Sequence, residues 1–150
     1  MMDANPIFID TNILVCASIV DALLHLVARQ KIQTLQNTGA ILWISRQVLR
    51  EYLATLSCPQ TFSQPLSATT LIADIQFFQT RFQLAEETAQ VTNNLLSLIE
   101  HIAIAGRQIH DANIVATMQA YQISQLLTHN VVDFKRYSHL ITVLPLVETP

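Results

Sequence analysis

Four carboxylates stand where their neighbours make a charge awkward. Asp10 interrupts the apolar run FIDTNILV (8–15), and an acid inside a buried strand is costly unless something compensates it. Asp111 heads HDANIVATM (110–118). In a helix starting near His110 it shares a face with Ile114, Val115 and Met118. Asp133 follows the apolar LLTHNVV (126–132), and Glu51 lies inside the helical pattern RQVLREYLATL (46–56). Taken singly, each has an ordinary explanation. Asp111 would be a first-turn acid favoured by ~0.3–1 kcal/mol. Asp133 would be a loop or N-cap aspartate, and Glu51, turned away from Leu49, Leu53 and Leu56, a solvated glutamate.

The elements that position them change that reading. Residues 7–9 with 13–15 form a short buried strand leading into a helix. Val20, Leu23, Leu24, Val27 and Leu35 carry that helix's apolar spacing, and Gly39 ends it. ILWIS (41–45) is a second strand, with Ser45 the N-cap of 46–56. SCPQTFSQPLS (57–67) is a surface loop within one domain. Helices follow over 68–80 and 86–101, with a short strand in RFQLA (81–85) between them. Gly106 and Arg107 turn the chain into the helix of Asp111. LLT (126–128) is a strand, NVVDFKRY (130–137) a loop or single helical turn, and LITVLPL (140–146) the last strand. Strands alternating with helices define an α/β fold, a mainly parallel sheet with helices on both faces, in one domain spanning 1–150.

In such a sheet ligands bind at the carboxyl ends of the strands. Three of the acids are expected to follow, or closely follow, strand ends, and Glu51 lies on the helix after the second strand. Four carboxylates gathered at one edge repel one another and raise each other's pKa. A divalent cation relieves the repulsion, and all-oxygen ligands suit Mg²⁺ or Mn²⁺. Asp21, Asp74, Glu86, Glu87 and Glu100 read instead as solvated or first-turn charges, and Asp3 and Glu148 lie near the chain ends.

Composition sets bounds. Of 150 residues, 51% are hydrophobic and 13% charged, against ~25% charged in ordinary soluble domains. That excess anticipates a second apolar surface, covered by a partner or by self-association. The net charge of −3 argues against a broad basic surface for nucleic acid. Cys16 and Cys58, the only cysteines, fit a reduced cytoplasmic protein, and no Cys/His spacing suits zinc. Residues 7–27 are neither a membrane span nor a signal sequence, because Asp10, Asn12, Asp21 and His25 interrupt them and no Lys or Arg precedes them.

FIDTN, the helix glutamate in SRQVLREYL, HDANIVAT and LLTHNVVDF, in that order, resemble the PIN domain. The likeness is closest to the single-domain VapC-like toxin ribonucleases, and it runs from about Ile7 to Leu146. The resemblance implies Mg²⁺- or Mn²⁺-dependent hydrolysis of RNA phosphodiester bonds. It also implies that Asp10, Glu51, Asp111 and Asp133 are the catalytic, metal-holding quartet, and that Asn12, Thr128 and Asn130 support the site. It gives His110 and His129 no role, and it implies a homodimer and a small antitoxin partner. The chain departs from the pattern in its long loop 57–67 and its low basic content.

Five of the eight basic residues bracket the quartet: Arg46, Arg50, Arg107, Lys135 and Arg136. Lys135 and Arg136 are assigned to substrate phosphate. For the others phosphate contact and local pairing, such as Arg107 with Asp111, remain open. The competing functions are a PIN-fold interaction module that no longer cuts, a housekeeping RNA-processing nuclease, and an aspartate-nucleophile phosphatase or phosphotransferase. The last commonly needs a second Asp where Asn12 stands. A dinucleotide-binding domain is excluded, because Gly39 and Gly106 are the only glycines.

Overall fold

The computed structural model describes residues 5–58 and 66–148. Most of the expected loop 57–67 therefore lies outside the described residues. Five strands form one sheet: β1 (Pro6–Ile9), β2 (Ile41–Ser45), β3 (Gln83–Ala85), β4 (Gln125–Thr128) and β5 (Thr142–Pro145). The spatial order is β3-β2-β1-β4-β5, and every neighbouring pair is parallel. Phe8 of β1 stands opposite Trp43 of β2 on one side and Leu126 of β4 on the other.

The order means that the chain winds outward from β1 to β3, then crosses back to lay β4 on the other side of β1. Helices therefore cover both faces: α1 (Thr11–Ser18), α2 (His25–Asn37), α3 (Arg46–Leu56), α4 (Ala68–Arg81), α5 (Ala89–His101) and α6 (Gln108–Ala120). A 3₁₀ helix, Val131–Tyr137, joins β4 to β5. Ile7, Phe8 and Ile9 are all buried, as a central parallel strand covered on both sides requires.

Local signals account for several boundaries. Ser45 caps α3, its hydroxyl accepting from the Val48 amide at 3.4 Å. Gly39, at φ +88°, closes α2, with its own amide bonded to the Gln36 carbonyl and that of Ala40 to Leu35. The first helical segment differs from expectation. The strand stops at Ile9, and Ile13–Val15 belong to α1. The helix after the bend begins only at His25, so Val20, Leu23 and Leu24 precede it. Val20 and Leu23 are 77% and 97% exposed. Helical spacing of apolar letters cannot distinguish a buried stripe from an apolar turn facing outward. Glu86 and Glu87 likewise precede α5, which starts at Ala89.

Leu23, Val20 and Leu26, together with Ile72 and Phe77 of α4, are large apolar side chains left exposed, in keeping with the apolar excess of the sequence. Among the described residues, no helix is long and apolar enough to cross a membrane.

The sheet centre should dominate stability. Phe8→Ala, at a fully buried position, is expected to cost about 3–5 kcal/mol. Leu23→Ala should stay within about 0.5 kcal/mol of wild type. Urea unfolding followed by circular dichroism measures both.

Candidate active site

The winding direction reverses between β1 and β4, and there the carboxyl ends of two adjacent strands open a crevice. Asp10 is the first residue past β1, its amide bonded to the Leu127 carbonyl of β4 at 3.0 Å. It is 5% exposed and serves as the N-cap of α1. One carboxylate oxygen accepts from the Thr11 amide at 2.8 Å. The other accepts from the Asn12 side-chain amide at 3.1 Å and from the Thr128 hydroxyl at 2.8 Å. Asn12 also receives the His129 amide at 3.0 Å, and the Thr128 hydroxyl receives the Asn130 amide at 3.0 Å. Asn12 and Thr128 thus hold the Asp10 carboxylate directly. Asn130 reaches the network through its backbone. Asp10 therefore has protein partners for its lone pairs, yet burial and the neighbouring Asp133 charge outweigh them and its carboxyl is pushed up.

The other three acids arrive from different elements. Asp133 is exposed in the first turn of the 3₁₀ helix after β4. Glu51 is half-buried on α3, with Oε1 buried and without a hydrogen-bond partner. Burial raises its pKa and the Asp10 charge adds to this, against the nearby Gln47 amide, His110 and Arg50. Asp111 does not follow a strand end. It reaches the same edge in the first turn of α6, the helix that feeds β4, because that helix runs back against the strand direction. Ile114, Val115 and Met118 below it are buried, as its helical face requires. Its carboxyl is pushed up to about 6, first by burial and then by the charges of Asp10, Asp133 and Glu51, with Arg136 opposing. The charges of the other three acids thus all bear on the Asp111 carboxyl group.

The basic residues divide. Arg46 pairs with Glu86 at 2.7 Å and Arg50 with Glu87 at 3.0 Å, both at the surface. These are the ion pairs among the described residues, so Arg107 makes none with Asp111. The cation that acts on Asp111 is Arg136, half-buried, with Nη1 donating to the Ala103 carbonyl at 3.3 Å. Lys135 is exposed.

Two further residues belong to the site and were not singled out by the sequence. Gln47 is buried between α3 and α6. Its Nε2 donates to the His110 carbonyl and its Oε1 accepts from Asn113 Nδ2, both at 2.8 Å. The available signal was spacing: Gln47 is one helical turn before Glu51, and Asn113 is two residues after Asp111.

A hard divalent cation suits this donor set in kind and charge. The donors are oxygens, one of them buried and unpartnered, and the carboxylates repel. Among the described residues, no group of three or more His, Cys, Asp or Glu side chains is placed to hold a metal ion as it stands.

No protein-family model and no curated protein matches the sequence. Solved structures do match it in fold. A chain of VapBC2 from Rickettsia felis, solved bound to a promoter DNA fragment, has a TM-score of 0.64 at 18% identity, covering 93% of this chain and 98% of the other. VapC20 from Mycobacterium tuberculosis, a sarcin–ricin-loop-cleaving toxin, has a TM-score of 0.60 at 17% identity over 80% and 86%. A toxin–antitoxin complex from Klebsiella pneumoniae contributes a chain with a TM-score of 0.58 at 21% identity over 98% and 100%. The fold is the PIN-like α/β fold of VapC toxins.

The repulsion has a measurable consequence. Folding raises the Asp111 pKa from 3.8 to about 6, so between those values the folded chain holds more protons than the unfolded one. In EDTA, stability should fall as pH rises through that window. Asp111→Asn should remove much of the slope and stabilise the protein at pH ~7.5 by about 1 kcal/mol, allowing for solvent screening, while matching wild type near pH 4. Thermal melts across pH test this.

Proposed function

We propose that the protein is a Mg²⁺- or Mn²⁺-dependent ribonuclease, the toxin of a toxin–antitoxin pair. The observation that carries this reading is the convergence of Asp10, Glu51 and Asp133 on the carboxyl group of Asp111. These four residues would hold the cation. Bound there, it supplies a water of lowered pKa and neutralises charge on a phosphate. The chain's own residues prepare that site. Asp10 is oriented by Thr11, Asn12 and Thr128, so its carboxylate does not have to be ordered when substrate arrives. Near or below its raised pKa of about 6, Asp111 would give up its proton to bind a cation, so cation affinity falls with pH there.

Lys135 and Arg136, two and three residues after Asp133 and within one turn of the 3₁₀ helix, bind the RNA backbone. Arg46 and Arg50 face Glu86 and Glu87 and are not assigned to the footprint. The fold shared with a toxin described as cleaving the sarcin–ricin loop, and with a chain of a toxin–antitoxin complex, supports a toxin role and a small antitoxin partner. A second copy is a further partner consistent with the exposed apolar residues.

Labelled RNA and a phosphomonoester, each with Mg²⁺, Mn²⁺ or EDTA, separate this from the rival functions. RNA cleavage that depends on the cation is expected, with no phosphatase activity. Asp10→Asn should lower cleavage by about 100-fold or more, the scale of losing one preorganised electrostatic contact. RNA binding without cleavage by the wild type would favour an interaction module. Lys135→Ala with Arg136→Ala should reduce the slope of log affinity against log salt by about 1.4, the value for two phosphate contacts on single-stranded RNA. An unchanged slope removes both residues from the footprint.

A further inference from the structure

We propose that Gln47, with Asn113, is a positioning residue that sets the separation of Glu51 and Asp111 and thereby the cation affinity of the site. The proposal rests on the cation-dependent reading above. Glutamine is rarely this buried, at 5% exposed, unless both ends of its amide are occupied. Here they are, and both partners come from the same turn of α6. The Gln47 Nε2 donates to the carbonyl of His110, the residue immediately before Asp111. The Oε1 accepts from the side chain of Asn113, two residues after it. On α3, Glu51 is one turn beyond Gln47, at the i+4 position on the same face.

One side chain therefore ties α3 to α6 at the level of the two acids. The tie also has something to oppose. Glu51 and Asp111 carry like charge in a partly buried site, and no hydrogen bond holds Glu51 Oε1 in place. Beside its own helix, that carboxylate has the Gln47 amide, which favours its charged form, and the helix is held to α6 at the same residue. A neutral amide does this without adding a cation that would compete with a metal ion. Asp10 needs no such device, because Thr11, Asn12 and Thr128 hold it directly.

Gln47→Met keeps the length and volume of the side chain and removes both hydrogen bonds to α6 together with the amide beside Glu51; Asn113→Ala removes one of the bonds to α6 and leaves that amide in place. Mn²⁺ binding to the full chain by calorimetry, RNA cleavage against Mn²⁺ concentration, and thermal melts in EDTA read the effect. For folded Gln47→Met the Mn²⁺ dissociation constant and the activation midpoint should rise about tenfold or more, and for Asn113→Ala by less. At saturating Mn²⁺ kcat should return to within about twofold of wild type, which a general loss of folding would not allow. Folded variants that bind Mn²⁺ like wild type overturn the positioning role and leave the nuclease reading intact. Unfolding of both variants also overturns it, since the contact then holds the fold and not the site. A wild-type protein that neither binds Mn²⁺ nor cuts RNA overturns the nuclease reading, and the positioning role falls with it.

Discussion

The carboxylate of Asp10 is the hinge of the structure. It closes β1, caps α1 and accepts the Thr128 hydroxyl from the end of β4, so a single buried acid joins the two strands between which the winding reverses. A site at that point is a consequence of topology, because the connections leave β1 and β4 toward opposite sides. Three hydrogen bonds make the burial tolerable, and the pKa is still raised. The site is thus built around a charge that the fold accommodates without fully compensating it.

That incomplete compensation extends outward. Asp111 and Glu51 are both raised by burial and by their acidic neighbours. The protein could have placed its arginines among them. Arg46 and Arg50 instead face Glu86 and Glu87, whose backbone is fixed by Tyr121, its hydroxyl bonded to both the amide and the carbonyl of Glu86. Only Arg136 acts on Asp111, while its Nη1 is bonded to a backbone carbonyl. None of the four carboxylates has an ion pair among the described residues, and that unbalanced charge is the basis of the proposed cation site.

Much of this was legible in the sequence because it is local. The continuous apolar strand, the Ser45 cap, the Gly39 terminator and the helical face of Asp111 each depend on residues within a few positions. The failures are equally physical. Residues 19–24 have helical apolar spacing but form a bend in which Ile19 and Leu24 pack against the core while Val20 and Leu23 are exposed, since an apolar letter does not state whether anything covers it. Glu86 and Glu87 have the composition of a helix start but are engaged by arginines forty and thirty-seven residues away. Gln47 was passed over because a glutamine beside a charged residue looks solvated until the helix opposite it is known.

The sequence by itself determined the alternation of strands and helices and the class of fold, because periodicity and capping are written over short distances, and its resemblance to a family named four candidate acids. Tertiary structure alone decided which groups meet. It laid β4 against β1, carried Asp111 in from the start of a returning helix, and paired two arginines with Glu86 and Glu87 at the surface. It also set an amide of α3 between the backbone and side chain of α6. Those outcomes depend on strand order and helix packing across 60 to 120 residues of chain, where no local pattern constrains the pairing.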